Sequence, residues 1–195
     1  MKKKIIVFNL LFLICELVGL GITMLSTNRV LFEYYTVDSN LFALIVTIIY
    51  LYFVFRNMKI NKVIYLLRLM SLVSLMITFL VVLFVLPFMV PLQFLFWGTY
   101  GSNLILHVIC PLLLLFIYFK YDEKVKINNY ELIFNMFPTI LYAIILIILN
   151  INGIVDGPYA FLRFNYQPVY QSVLWFISIV GITYPIGLIL NKYKK

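Results

Sequence analysis

Six long apolar runs constrain this chain more than anything else in it. They cover about 5–25, 38–56, 63–86, 99–119, 129–151 and 169–190. A helix of about 20 apolar residues crosses the ~30 Å hydrocarbon core of a bilayer, and runs of 18 or more are read as spans. Lipid offers backbone polar groups no water, so only helices or a closed barrel can cross it. Barrel strands alternate apolar and polar residues. "FALIVTIIYLYFVF" does not alternate, so the reading is helical. With 195 residues, 65% of them hydrophobic and 11% charged, the chain suits a single domain, 1–195. The expectation is an all-α integral membrane protein of six transmembrane helices.

The net charge of +8 raises the possibility of nucleic acid, but the placement of the charges argues against it. Lys2, Lys3 and Lys4 precede the first span. Arg56, Lys59 and Lys62 lie between the second and third, and Lys120, Lys124 and Lys126 between the fourth and fifth. Lys192, Lys194 and Lys195 follow the sixth. In a six-span chain these twelve of fifteen basic residues share one side, with Arg29 and Arg163 on the other and Arg68 inside span three. That is the positive-inside pattern, which places N and C termini in the cytoplasm and the protein in the cell membrane, multi-pass. A basic strip beside anionic headgroups accounts for the charge without a nucleic-acid partner. The first run is too long for a signal-peptide core, is interrupted by Glu16, and lacks a small-x-small cleavage site, so it is read as a retained span.

Three outer loops are expected, about 26–37, 87–98 and 152–168, with Trp97, Tyr100, Tyr159 and Tyr166 suited to an interfacial aromatic belt. Pro111, Pro138 and Pro185 fall inside spans four, five and six, where each removes a helical hydrogen bond and predicts a kink. Cys15 and Cys110 lie in spans without metal-ligand spacing or a disulfide framework. No Gly-rich phosphate loop or acidic cluster is present, so no cofactor, metal or nucleotide is implied.

A charge inside a span costs at least ~2.5–3.5 kcal/mol at the helix centre. Glu16 and Arg68 are therefore expected to pair if spans one and three meet. Glu131, at the start of span five, suits the helix dipole. His107 is the only histidine. It lies about 20 Å from Lys120 along a helix, in the outer half of span four. It suits either an interhelical hydrogen bond or proton transfer near neutral pH.

"YYTVDSN" at 34–40 gathers scarce polar groups at the head of span two. Thr36, Ser39 and Asn40 stand at i, i+3 and i+4, on one helix face, while Asp38 points away. A cap needs one such residue, Asp38 or Thr36. The remaining three suit either helix packing or a site. At matching depth, a hydroxyl, an imidazole and an amide form the minimum set for nucleophilic acyl transfer.

"YYTVDSNL" resembles the Y-[FY]-T-x-x-S-N-L signature of the androgen-induced and androgen-dependent TFPI-regulating protein family. "LHVICPLL" at 106–113 is similar to the L-H-x-x-x-P-L signature of its bacterial predicted six-span branch. "YAFL" at 159–162 resembles the branch's Y-P-F-L, with Ala160 in place of Pro. The resemblance implies a six-span membrane threonine hydrolase of fatty-acyl esters. In it Thr36 is the catalytic nucleophile, His107 the catalytic base, and Ser39 and Asn40 support the site or an oxyanion. The implied partner is a membrane lipid or lipid-like ester. Two other readings stand beside this one: a small transporter or channel lined by Glu16, Arg68 and His107, and a non-catalytic membrane scaffold.

Overall fold

The computed structural model describes residues 2–26, 33–89, 100–157, 163 and 167–194. Six helices in it are long and apolar enough to cross a membrane: α1 Lys2–Ser26, α2 Tyr35–Phe55, α3 Lys62–Phe84, α4 Ser102–Lys120, α5 Asn129–Ile151 and α6 Val169–Tyr193. All described regular structure is helical. A short turn, Leu86–Met89, follows α3. Trp97, Tyr159, Tyr166, Arg29 and the stretch 159–162 lie outside the described residues. Tyr100, also assigned to the aromatic belt, is exposed.

The burial pattern is inverted relative to a soluble protein. Leu25, Ile14, Leu17, Val169, Ile177 and Ile189 are exposed. Asn9, Glu16, Asn40, Thr47, Ser71 and Asn135 are completely buried. In water such apolar outer faces would drive association. In a bilayer the lipid solvates them, and polar groups must find partners inside the bundle. This is the organisation of a multi-pass membrane protein.

α3 is the central helix, packing against α2, α4, α5 and α6, while α1 packs on α2 and α4. Asn61 caps α3, its side chain accepting from the Ile64 amide at 3.0 Å. One end of the bundle holds both termini and the basic loops. There Lys2 bonds Asn57, Lys124 donates to the Lys194 carbonyl at 2.6 Å, and Lys62 pairs with Glu131. Glu131 does more than face the helix dipole: it closes a capping box with Asn128 at the start of α5.

The three prolines act differently. α4 changes to a π-helical turn, Ile105–Ile109, just before Pro111. α5 opens as a 3-10 helix, Asn129–Met136, and becomes an α-helix at Phe137, next to Pro138. There the Phe134 carbonyl accepts from the Phe137 amide, so the missing Pro138 donor leaves no gap. α6 runs as continuous α-helix through Pro185.

The expected Glu16–Arg68 pair is not formed. Arg68 donates to Asp122 at 2.9 Å, to Thr47 at 2.6 Å and to Asn9, and its guanidinium lies over the Tyr50 ring. Asp122 follows α4 closely in sequence and folds inward beneath the bundle, so Arg68 has a carboxylate without needing Glu16. Its five fixed donors and planar face suit such a crowded, buried position. Glu16 is completely buried, with the Cys110 thiol of α4 against its carboxyl and no salt bridge among the described residues.

Candidate functional site

α2 starts abruptly. Tyr34 is extended at its N-cap and provides no side-chain cap, and the amides of Val37 and Asp38 bond the Tyr34 carbonyl at 3.0 and 3.3 Å. Neither Thr36 nor Asp38 is the cap, because the helix already includes both. Asp38 instead sits in the first turn, where a carboxylate suits the positive end of the helix dipole. It is half-buried, while Thr36, Ser39 and Asn40 are all buried.

The head of α2 is fixed from outside. Tyr35 bonds Thr139 of α5 through its hydroxyl at 2.9 Å, and its ring packs edge-on against Tyr142. Tyr142 in turn donates to the Glu33 carbonyl at 3.0 Å. These contacts set the direction of the first turn, and with it the direction of Thr36.

Thr36 Oγ1 lies 3.0 Å from His107 Nε2. The two residues are 71 positions apart in sequence, and neither is more than 7% exposed. His107 belongs to the π-helical turn of α4. Such turns insert an extra residue into an α-helix, redirect side chains, and recur at functional sites.

The π turn also creates the need that Asn40 meets. In an α-helix the Cys110 amide would bond the Leu106 carbonyl; here it bonds Ile105 instead. The next amide in the wider pattern belongs to residue 111, which is proline and has none. The Leu106 carbonyl therefore lacks a helical donor, and Asn40 Nδ2 reaches it at 3.3 Å. The same nitrogen donates to the Thr36 carbonyl at 2.7 Å. One amide thus ties the backbone beside the hydroxyl to the backbone beside the imidazole. With both hydrogens directed at carbonyls, Asn40 holds the two helices in register and does not point a donor at an oxyanion.

Ser39 donates to the Thr36 carbonyl at 3.1 Å and meets Thr78 Oγ1 of α3 at 2.9 Å. Thr78 extends a ladder of hydroxyls on α3. Ser71 and Ser74 each donate to a carbonyl one turn back at 2.9 Å, and Thr78 donates to Ser74 at 3.4 Å. Bonding back to the helix is how hydroxyls are satisfied where water is absent.

All four sequence-derived residues thus gather in one place, with Asp38 on a neighbouring face. Sequence reasoning missed three contributors. Thr78 carried a signal, since Ser71, Ser74 and Thr78 recur at helical spacing, but nothing told which helix they faced. Gly19 of α1 is the second: a Cβ there would come within 2.6 Å of Leu106 Cδ2, so only glycine lets α1 lie this close to the π turn. The third is Tyr35, read only as part of the motif.

The arrangement places a hydroxyl beside an imidazole nitrogen, inside a water-poor bundle. A hydroxyl is a weak nucleophile unless a base lies within hydrogen-bond reach, and 3.0 Å is within it. The fold and site define an all-helical membrane protein with a buried threonine–histidine pair. No family profile, curated protein or solved structure matches the chain.

Proposed function

We propose that the protein hydrolyses fatty-acyl esters within the membrane, with Thr36 as nucleophile and His107 as base. The contact between Thr36 Oγ1 and His107 Nε2 carries this reading. The sequence signatures around both residues point the same way. Thr36 Oγ1 attacks the acyl carbonyl and passes its proton to Nε2. As the carbonyl re-forms, the ester C–O bond breaks and the departing alcohol takes that proton. Water then attacks the acyl-threonine, giving its proton to His107. The carboxylic acid leaves, and the proton returns to Thr36. Asn40 and Ser39 act as positioning residues. The polar interior supplies the pair, and the apolar surroundings suit acyl chains.

The site lies at the end of the bundle opposite the termini. With basic loops in the cytoplasm, it belongs to the outer half of the cell membrane. A cytoplasm-dependent reporter fused after Lys195 is active in this orientation; a stably inserted but silent fusion reverses it.

The direct test is labelling of the purified protein with a fluorophosphonate probe, followed by mapping of the modified residue. Modification of Thr36, lost in His107→Ala, is the expected result. A protein that neither labels nor turns over any acyl ester overturns the reading. A transporter is favoured by one observation, the buried Glu16 carboxyl, which has no basic partner among the described residues, since intramembrane acids commonly mark pathways. It predicts solute flux that persists in Thr36→Ala and vanishes in Glu16→Gln.

A further inference from the structure

An open groove of about 370 Å³ runs along the outer face of α4, lined by Leu112, Leu115, Phe116, Phe119 and Lys120. We propose that it binds one acyl chain of an anionic glycerophospholipid, with the phosphate on Lys120, in the leaflet beside the basic loops. The inference is independent of the hydrolase reading.

The groove follows from the helix repeat. Leu112, Phe116 and Lys120 stand four residues apart and form one ridge, and Leu115 and Phe119 form the next. Leu112 lies about 12 Å from Lys120 along the helix axis. That is most of one leaflet, about 15 Å of the ~30 Å hydrocarbon core. Over this depth the walls are apolar, and at its end stands an ammonium. An acyl chain with a phosphate head has the same order, length and direction. Phe8 of α1 meets the Phe116 ring edge-on at 5.4 Å and stacks on Tyr121 at 5.0 Å, so the Phe116 ridge is braced from the α1 side.

Charge selects the head. Neighbouring ammonium groups are already committed: Lys62 to Glu131, Lys124 to the Lys194 carbonyl, and Lys194 to the Tyr118 and Phe119 carbonyls. Lys120 is exposed and joins no ion pair among the described residues. The C-terminus of a helix carries partial negative charge that would repel a phosphate. In α4 that charge is covered. Lys194 occupies two of the last carbonyls, and the amides of Tyr121 and Asp122 donate to the Ile117 carbonyl. Asp122 is paired with Arg68, which leaves Glu123 as the one exposed acid between Lys120 and Lys126. The exposed Lys4, one turn before Phe8 on α1, adds to the positive field. A second copy suits the groove less well. Two copies related by a two-fold axis along the membrane normal would set Lys120 against Lys120, and like charges repel.

The test uses the full-length protein in nanodiscs of phosphatidylcholine with a small share of phosphatidylglycerol carrying a diazirine in one acyl chain. Irradiation should give saturable adducts at Leu112, Leu115, Phe116 or Phe119. Unlabelled phosphatidylglycerol should compete about fivefold better than phosphatidylcholine, the worth of one lysine beside an anionic headgroup. Lys120→Gln should remove that preference and Lys120→Arg should keep it. Lys59→Gln, a basic residue outside the groove, should leave it unchanged. Leu115→Trp, which fills the groove, should reduce the α4 adducts and spare those on other helices. Equal competition by the two lipids overturns the proposal. So do adducts spread evenly over the outer faces of α1, α4 and α6, or a Lys120→Gln protein that behaves as wild type. Disulfides formed between two copies through Leu112→Cys would assign the groove to a dimer and overturn it as well.

Discussion

The bundle buries two polar clusters, and they are built on opposite principles. Around Arg68 every donor nitrogen has a fixed acceptor: Asp122, Thr47 and Asn9, with Tyr50 under the guanidinium. The cluster joins α1, α2, α3 and the segment after α4, and its charges cancel in place. Around Thr36 there is no ion pair to lock. A hydroxyl meets an imidazole at 3.0 Å, and the surrounding amide and hydroxyls bond to backbone. The first cluster has spent its interactions on holding helices together. The second uses its supporting residues to hold a hydroxyl against an imidazole nitrogen. On the hydrolase proposal, breaking the first arrangement should cost stability and breaking the second should cost turnover.

Removing either member of the Thr36–His107 pair should give the largest effect. General base catalysis is worth about 10²–10⁴-fold, so His107→Ala should cut ester turnover by that order. Thr36→Ala should remove it altogether. Both variants should keep a near-native melting temperature, because one hydrogen bond contributes only ~0.5–1.5 kcal/mol net. If either variant instead unfolds while wild type shows no turnover, the site end is another structural lock and the contrast disappears.

Arg68→Met should do the reverse. It leaves the Asp122 carboxylate buried and unpaired, and breaking such a pair costs about 3–5 kcal/mol. The check is unfolding of the detergent-solubilised protein followed by helical signal. Ester turnover measured below the new transition should remain within a few-fold of wild type.

Asn40→Ala should blur the two regions, since it strips a donor from both the Thr36 and Leu106 carbonyls. Unsatisfied buried groups cost ~1–3 kcal/mol, and misalignment of the pair should slow turnover as well. Gly19→Val approaches the same turn from α1. Overpacking costs ~1–3 kcal/mol, and a probe-labelling rate that falls along with stability would show that the π turn must stay where it is. An unchanged rate in both variants would remove the π turn from the site.

The smallest expected effect is a coupling close to zero. Arg68 bonds Asn9, and Glu16 lies seven residues beyond Asn9 on α1, about 10 Å at 1.5 Å per residue. Stability losses of Glu16→Gln and Arg68→Met should therefore add to within ~0.3–0.5 kcal/mol. A larger coupling would mean that Glu16 and the Arg68 cluster communicate through α1.

Much of this is legible in the amino-acid sequence. The number and length of the spans follow from the runs of apolar residues, because hydrocarbon thickness dictates helix length and lipid forbids unpaired backbone. The shared face of Thr36, Ser39 and Asn40 follows from a period of 3.6 residues. A matching depth for His107 follows from the rise per residue, which is the same in every helix. These are properties of one helix at a time.

The partner of Arg68, the role of Asn40 and the π turn belong to pairs of helices, and one-dimensional pattern cannot supply them. Glu16 looked like the natural partner for Arg68 because both are costly in lipid. The choice went to Asp122 because the chain after α4 turns inward and brings a carboxylate to the guanidinium. Pro111 announced a missing donor, but not that α4 would widen into a π turn and present the Leu106 carbonyl to Asn40. Gly19 carries no polar atom at all; its part is to be absent where Leu106 needs room. Sequence determined what each helix contains and at what depth. Only packing decided which faces meet, because rotation of a helix about its axis leaves its own pattern unchanged and is settled by the neighbours it touches.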